Sequence, residues 1–203
     1  MSLPERDASQ SMLERWMRKR GISHEVINSF VDYGVLYQHF SKKKYHIVYI
    51  GTDSDEVPQY AAVQDMDKNS VVDAEGSSEH YNFSYRGFGS HLYVFDSHLD
   101  MLSYATLRGF RKNRPFEDSL LTVPTVSSDN ESAPAYWRPP VIIRMLSDHP
   151  KIRFIHLCFS NTEDGRQAAQ SCISGWHDKY FFTHEPPPSG VTYNDHLLVT
   201  PRK

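Results

Sequence analysis

The chain has 203 residues, of which 39% are hydrophobic and 23% charged, and its formal net charge at pH 7 is -3. This composition excludes a disordered chain and predicts one medium globular domain, or a core domain with a smaller unit in front. The slight negative charge gives no global attraction for nucleic acid, so such a partner would have to meet local basic patches.

The first half of the chain combines helix and strand patterns. Helical spacing of apolar side chains predicts a helix over residues 9–20 and another that begins at the N-cap Ser23. The stretches YHIVYI (45–50) and YAAV (60–63) flank a polar segment and predict a hairpin with a long loop. Together these elements predict a small α+β domain over residues 1–88.

The second half repeats one pattern, a buried strand followed by a polar junction and a helix. The strands are predicted over residues 91–95 and 152–159, and the helices over residues 97–107 and 164–173. Because such units build parallel sheets, residues 89–203 are predicted to form an α/β domain with a mostly parallel sheet flanked by helices.

Polar residues stand where these two strands end. Asp96 follows the first strand, and the second runs into Ser160, Asn161, Thr162, Glu163 and Asp164. Ligands of open α/β sheets bind beyond the carboxyl ends of strands, so both junctions are expected to face one crevice.

A structural interpretation competes with chemistry at these junctions. Ser160 with Glu163, and Ser97 with Asp100, have the spacing of a capping box, and acidic residues in a first helical turn complement the helix dipole. Asp96 has no such capping role, because it ends a strand. The alternative interpretations of Glu163, Asp164 and Asp100, helix capping and metal ligation, both stay open.

Two cysteines, Cys158 and Cys172, form no C-x-x-C pair, and no signal-peptide pattern is present. These features predict a reducing, cytoplasmic environment without disulfides or a cysteine zinc site. No window approaches the ~18 apolar residues of a membrane span, so no membrane partner is expected.

Basic residues form three clusters, each of which taken alone is typical of a solvated face. They are Arg15, Arg18, Lys19 and Arg20; Lys42, Lys43 and Lys44; and Arg108, Arg111, Lys112 and Arg114.

The sequence around both junctions resembles the Toprim domain, the catalytic fold of bacterial primases, topoisomerases and some nucleases. YVFDSHLDMLS resembles its first motif, with Asp96 and Asp100 at the acidic positions. LCFSNTEDGRQAA resembles its second motif, in which a strand ends in D-x-D and continues through a Gly-Arg pair, here Gly165 and Arg166.

The resemblance extends over most of the chain. The front half, with KRGISHEVINSFVDYGVLYQ and VYIGTDSDEVPQYAAV, is similar to an uncharacterised domain that precedes Toprim in proteins of plasmids and integrative elements. YNDHLL is similar to the closing acidic motif, with Asp195 kept and Thr192 in place of an acid.

The resemblance implies an Mg²⁺ or Mn²⁺ cofactor, catalytic roles for Asp96 and Asp100, and Asp96, Glu163 and Asp164 as metal ligands. The D-x-D positions, however, hold Ser160 and Thr162. Each lost carboxylate removes an attraction for a divalent ion of roughly 8 kcal/mol at ~4 Å before desolvation and screening, at an effective dielectric of about 20. The hydroxyls and amides left at this helix start would instead favour a phosphate.

The leading hypothesis is therefore a Toprim-like protein of mobile-element replication or transfer that binds DNA or RNA, or a replication or transfer protein, with weak or no metal-dependent catalysis. Alternatives are an active Mg²⁺-dependent primase-like or nuclease-like enzyme, and a protein-binding regulatory module. The nucleic-acid contacts predicted are Arg108, Arg111, Lys112, Arg114, Arg166, Ser160, Asn161 and Thr162.

Overall fold

The computed structural model describes residues 1–68, 70–110, 116–124, 136–176 and 179–201. Within these ranges the chain forms two sheets with helices packed against them. The helices are α1 (Ser11–Lys19), α2 (His24–Asp32), α3 (His98–Leu107), α4 (Pro140–Asp148), α5 (Glu163–Ser174) and α6 (Tyr193–Val199). The strands are β1 (Leu36–Ser41), β2 (Lys44–Thr52), β3 (Pro58–Asp65), β4 (Val71–Asp73), β5 (Ser84–Tyr85), β6 (His91–Phe95), β7 (Ser119–Thr122), β8 (Phe154–Leu157) and β9 (Phe181–His184).

The first sheet is antiparallel, with strand order β1-β2-β3-β4. Ser41 faces Lys44 across the β1–β2 hairpin, so its loop has two residues. The β2–β3 connection is longer, as the polar sequence predicts. Helix α2 begins at the predicted N-cap, where Ser23 Oγ accepts a hydrogen bond from Val26 N at 3.2 Å.

Strand β1 has no counterpart among the elements predicted from the sequence, because it lacks alternation: Leu36, Tyr37 and Gln38 are all buried. Gln38 is polar, yet only 3% exposed. Its Oε1 accepts hydrogen bonds from Met12 N and Leu13 N, at 2.9 and 3.1 Å. A buried amide on the strand thereby satisfies two orphan donors in the first turn of α1, whose own N-cap residue, Gln10, makes no side-chain capping bond to the helix.

The second sheet has strand order β5-β7-β6-β8-β9. Strand β5 is antiparallel to β7, and the pairs β6–β7, β6–β8 and β8–β9 are parallel. The predicted fold class, a mostly parallel sheet flanked by helices and preceded by a small α+β part, is confirmed. Because β6 and β8 are parallel neighbours, their carboxyl ends lie side by side.

The apolar core has two main parts, one on each face of β6 and β7. Phe95 of β6 packs on one face with residues of the first half, such as Phe30 and Phe83. Val94 points to the opposite face and packs with Ile142 of α4. One face of the second sheet is therefore covered by residues from both halves of the chain, and the division into 1–88 and 89–203 stays a prediction.

None of the helices in the described ranges is long and apolar enough to cross a membrane. Cys158 and Cys172 are both free and buried.

Candidate functional site

Asp96 and Ser160 meet where the two central strands end. Asp96 directly follows β6, and Ser160 lies three residues beyond the end of β8, with Val94 and Leu157 in register between the strands. Ser160 donates two hydrogen bonds to Asp96 Oδ2, from its backbone amide at 2.9 Å and from its hydroxyl at 2.7 Å. Asp96 Oδ1 is buried and has no hydrogen-bond partner among the described residues. One oxygen of this carboxylate is therefore satisfied within the protein and the other is not.

Thr162, and not Ser160, is the N-cap of α5. Thr162 Oγ1 accepts a hydrogen bond from Gly165 N at 3.0 Å, which is the bond that defines a side-chain cap. The capping box predicted for Ser160 and Glu163 is wrong, because the helix begins two residues later than that spacing requires. Ser160 is left free to bind Asp96, and its hydroxyl lies 3.2 Å from Thr162 Oγ1.

Gly165 lets the first turn of α5 approach Ser160 closely. A Cβ at position 165 would lie 2.1 Å from the carbonyl oxygen of Ser160 and 2.9 Å from its Oγ. No side chain fits at such distances, so glycine is required here for close packing of the helix on the turn. The glycine of the Gly-Arg pair in the second motif thus has a direct steric explanation in this chain.

Both acids of the α5 first turn, Glu163 and Asp164, are exposed. Glu163 Oε2 accepts a hydrogen bond from Arg166 at 2.9 Å, and Oε1 accepts one from Gln167 at 2.9 Å. These bonds from Gln167 and Arg166 lower the pKa of Glu163 below its ordinary value. Arg166 also donates to Asn161 Oδ1 at 3.1 Å. Glu163 is thereby engaged with its own helix and not with Asp96.

A cleft of about 130 Å³ opens at the junction. Asp96, Ser160, Thr162 and Asp164 supply its polar lining, and Trp137 is among its apolar walls. Two backbone amides of this turn are occupied: Ser160 N donates to Asp96, and Asn161 N donates to Val191 O at 2.7 Å. A phosphate held by these two amides would have to break these bonds.

The side chains that line this cleft do not provide enough carboxylate ligands for a pair of divalent ions. Asp96 and Asp164 are its only described carboxylates, and one oxygen of Asp96 already accepts two hydrogen bonds. No group of three or more His, Cys, Asp or Glu placed to hold a metal occurs in the described ranges. A two-ion phosphoryl-transfer site needs acids that bridge ions ~3.5–4 Å apart, and hydroxyls stand where those acids would be.

Asp100 connects α3 to α6. It is 3% exposed, and its Oδ1 accepts a hydrogen bond from Asn194 N at 2.9 Å. Ser97 caps α3 as predicted, accepting from Asp100 N at 3.4 Å, but the Asp100 carboxylate does not complete the box. Burial, with further contributions from the charges of Asp96 and Asp195, raises the pKa of Asp100 to about 7. These contacts are those of a positioning residue, and its catalytic role stays a prediction.

We expect Asp100→Asn to change how stability depends on pH. The pKa of Asp100 rises from 3.8 in the unfolded chain to about 7 in the folded one, so its contribution to stability is full below about pH 4 and is lost as pH rises through 7. The variant should therefore gain about 2–3 kcal/mol in free energy of unfolding relative to the unmodified chain between pH 5 and pH 8.

Urea denaturation of both proteins at several pH values measures this difference. Other buried groups also make stability depend on pH. Burial lowers the pKa of His98 to about 4, for example, which has the opposite effect to that of Asp100. Such contributions are the same in both proteins and cancel when their free energies of unfolding are subtracted. A difference that stays constant from pH 5 to pH 8 would contradict the assignment.

The closing motif forms the start of α6. Thr192 Oγ1 accepts from Asp195 N at 3.0 Å, and Asp195 Oδ2 accepts from Thr192 N at 2.9 Å, which makes a reciprocal capping box. Asp195 Oδ2 also accepts from Val191 N at 3.1 Å. Asp195, the acid kept in this motif, therefore caps the N-terminus of α6 in this chain.

Solved structures with a similar fold include primase catalytic domains. The primase domains of bacteriophage T7, bound to an RNA/DNA hybrid and dTTP and interacting with lagging-strand DNA polymerase, match with a TM-score of 0.63 and 18% identity over 89% of this chain and 83% of theirs. A DNA primase domain from Pseudomonas aeruginosa matches with a TM-score of 0.55 and 12% identity over 93% and 67% of the two chains. A DnaG primase catalytic domain bound to single-stranded DNA matches with a TM-score of 0.54 and 11% identity over 93% of this chain and 70% of its own.

The chain has a primase-like Toprim fold. At these identities the likeness concerns the fold alone. No protein-family model matches the sequence, and no curated protein matches it either.

The primase-like fold separates Arg108 from the cleft. Arg108 is the exposed C-cap of α3, whose ten residues begin next to Asp96, so a helix of about 15 Å lies between them. Its guanidinium lies 5.9 Å from the centre of the Tyr104 ring. Arg111, Lys112 and Arg114 lie outside the described residues. Of the cations predicted to bind nucleic acid and described here, Arg166 is the one beside the cleft.

Two residues of the primase-like fold were not predicted from the sequence to take part in the site. His184 ends β9, and its buried Nε2 has no hydrogen-bond partner among the described residues. Burial and the charge of Arg166 lower its pKa, while Asp96 opposes them. The backbone amide of Asn194 donates to Asp100 Oδ1, and its side-chain Nδ2 donates to Ser103 Oγ at 3.0 Å. The groups near them, Arg166 and Asp96 for His184 and Asp100 and Ser103 for Asn194, are distant in sequence, and no local motif signals such neighbours.

Proposed function

We propose that this chain binds single-stranded nucleic acid with a primase-like fold whose metal site has lost its function. The observation that carries the proposal is Ser160, which stands at a D-x-D position and donates two hydrogen bonds to Asp96. A hydroxyl at that position holds the carboxylate without an ion. Support for nucleic acid as the ligand comes from the fold, which is shared with primase domains bound to an RNA/DNA hybrid or to single-stranded DNA.

Arg166 is the residue proposed to contact the nucleic-acid backbone at the cleft. It is exposed, lies in the first turn of α5, and its charge contributes to the lowered pKa of His184. Within the protein it is bound by Glu163 and Asn161, and the surface ion pair with Glu163 is weak enough for a phosphate to replace. Glu163 therefore acts as a competitor of the nucleic acid for Arg166.

A role in the replication or transfer of a mobile element is part of the same proposal. The order of the front-half and Toprim-like segments in the sequence supports it. The proposal also includes contacts of Arg108, Arg111, Lys112 and Arg114 with backbone phosphates, and a replication or transfer protein as a further partner.

We expect a labelled 20-nucleotide single strand to bind with steep salt dependence in the presence of EDTA. Arg166→Gln should weaken binding about 3- to 10-fold and lower the log–log salt slope by about 0.7, since one phosphate contact is lost. Glu163→Gln is the matched control: it keeps the shape of the side chain, removes the competitor of the phosphate and should strengthen binding. Fluorescence anisotropy at several salt concentrations measures all three proteins.

Metal dependence separates this proposal from the enzyme alternative. We expect the affinity to be the same with EDTA and with Mn²⁺, and Asp96→Asn to leave it unchanged or to strengthen it. Binding of Mn²⁺ that Asp96→Asn abolishes would instead favour an active metal-dependent enzyme that uses Asp96 and Asp164. Affinity indifferent to salt would contradict nucleic-acid binding through phosphate contacts.

A further inference from the structure

The β1–β2 hairpin turns through two lysines in a backbone conformation that lysine rarely adopts. Lys42 and Lys43 have φ values of 49° and 64°. Two-residue hairpin loops with positive φ at both positions favour Asn-Gly or Asp-Gly, because a Cβ is strained there. The turn would form more readily with those residues, so hairpin stability does not explain why both positions are lysine.

The two strained lysines are also the unpaired charges of this hairpin. Lys44, the next residue, forms an ion pair with Asp65 at 3.2 Å and lies 3.9 Å from Asp67. Lys42 and Lys43 are exposed and form no ion pair with any described residue. The tip of the hairpin therefore carries two positive charges that no acid in the described ranges neutralises.

An exposed pair of aromatic rings lies on the hairpin strands close to these two lysines. Phe40 and Tyr45 face one another across the hairpin, with ring centroids 4.8 Å apart. Phe40 is 49% exposed and Tyr45 is 37% exposed, although the other aromatic residues of these two strands, Tyr37 and Tyr49, are buried. Flat apolar rings beside free cations are the combination that binds single strands, since bases stack on the rings while lysines contact the phosphates.

We propose that the hairpin tip, residues 40–45, is a second contact surface for single-stranded nucleic acid. Lys42 and Lys43 bind backbone phosphates, and an unpaired base stacks on Phe40 or Tyr45. A duplex keeps its bases stacked inside, so it would use the lysines and not the rings. The inference rests on the proposed function and extends it to a surface on the first sheet, away from the turn at Ser160.

The double variant Lys42→Asn/Lys43→Gly tests the lysines, because it changes stability and binding in opposite directions. Relief of the strained turn should raise Tm by about 2–6 °C. Loss of two phosphate contacts should weaken binding of a labelled 20-nucleotide strand about 5- to 30-fold at 100 mM salt and lower the log–log slope by about 1.4. The matched control, Lys19→Gln/Lys151→Gln, removes the same charge from two other exposed positions and should leave the slope almost unchanged.

Phe40→Thr tests the rings, and threonine keeps the strand propensity of the position. It should weaken single-strand binding about 5- to 150-fold with the salt slope unchanged, and leave duplex binding as it was. If the unmodified chain binds the strand and the hairpin variants bind it equally well, the hairpin inference is overturned while the proposed function stands. If the unmodified chain binds no strand, both are overturned. If the control Lys19→Gln/Lys151→Gln weakens binding as much as Lys42→Asn/Lys43→Gly does, the loss of affinity comes from the change in net charge alone, and the inference is also overturned.

Discussion

The double substitution Ser160→Asp/Thr162→Asp is expected to make the stability of this protein depend on divalent metal. Ser160 Oγ lies 2.7 Å from Asp96 Oδ2, so a carboxylate at position 160 faces another carboxylate where a hydrogen bond was. Without metal, the repulsion should cost about 2–4 kcal/mol and lower Tm by about 4–16 °C. Asp at position 162 keeps the helix cap, because aspartate is among the favoured N-cap residues.

Metal should reverse this loss. Mn²⁺ at about 100 times its Kd stabilises a folded protein by about 2.7 kcal/mol, which would recover most of the lost stability. The matched control is Ser160→Asn/Thr162→Asn, which has nearly the same shape without the charges and should show no response to Mn²⁺. Tm measured by differential scanning fluorimetry with EDTA and with Mn²⁺ gives the result. A rise of Tm with Mn²⁺ in the unmodified chain, as large as in the double aspartate variant, would show that the present residues already hold the ion.

Gly165→Ala should destabilise the protein strongly, although the same exchange within a helix normally stabilises it. Alanine is the better helix former by about 1 kcal/mol. At position 165, however, its Cβ would lie 2.1 Å from the carbonyl oxygen of Ser160, which is backbone and has little freedom to move. We expect a loss of about 2–4 kcal/mol in free energy of unfolding, because α5 or the turn at Ser160 must shift.

Urea denaturation measures the effect of Gly165→Ala, and Gln170→Ala in the same helix is the control. Gln170 is exposed, so its replacement should change stability by no more than about 0.5 kcal/mol. Unchanged or higher stability of Gly165→Ala would show that the close approach of α5 to Ser160 is not maintained in solution.

The elements that could be predicted from the sequence are those with strong local signals. The two strand–junction–helix units were recognisable because apolar runs of strand length precede segments with helical spacing, and β6, α3, β8 and α5 lie where those signals place them. The cap at Ser23 was predictable for the same reason, since the hydroxyl bonds an amide only three residues ahead. Strand β1 lacked such a signal, because consecutive residues are buried on both of its faces.

The candidate site was predictable in its location and not in its contacts. Parallel strand ends meet at one edge, so Asp96 was expected near the turn at Ser160. Which hydroxyl caps α5 depends on where β8 stops, and spacing alone favoured Ser160 over Thr162. The partner of Asp100 is Asn194, 94 residues away, and only the fold brings such a pair together.

The double hydrogen bond between Ser160 and Asp96 has a consequence for the whole crevice. It ties the ends of two neighbouring strands by bonds that the chain supplies from its own atoms. We therefore expect the shape of the crevice not to depend on the supply of divalent ions, so that a chelator, which would loosen a crevice bridged by ions, should leave this one unchanged.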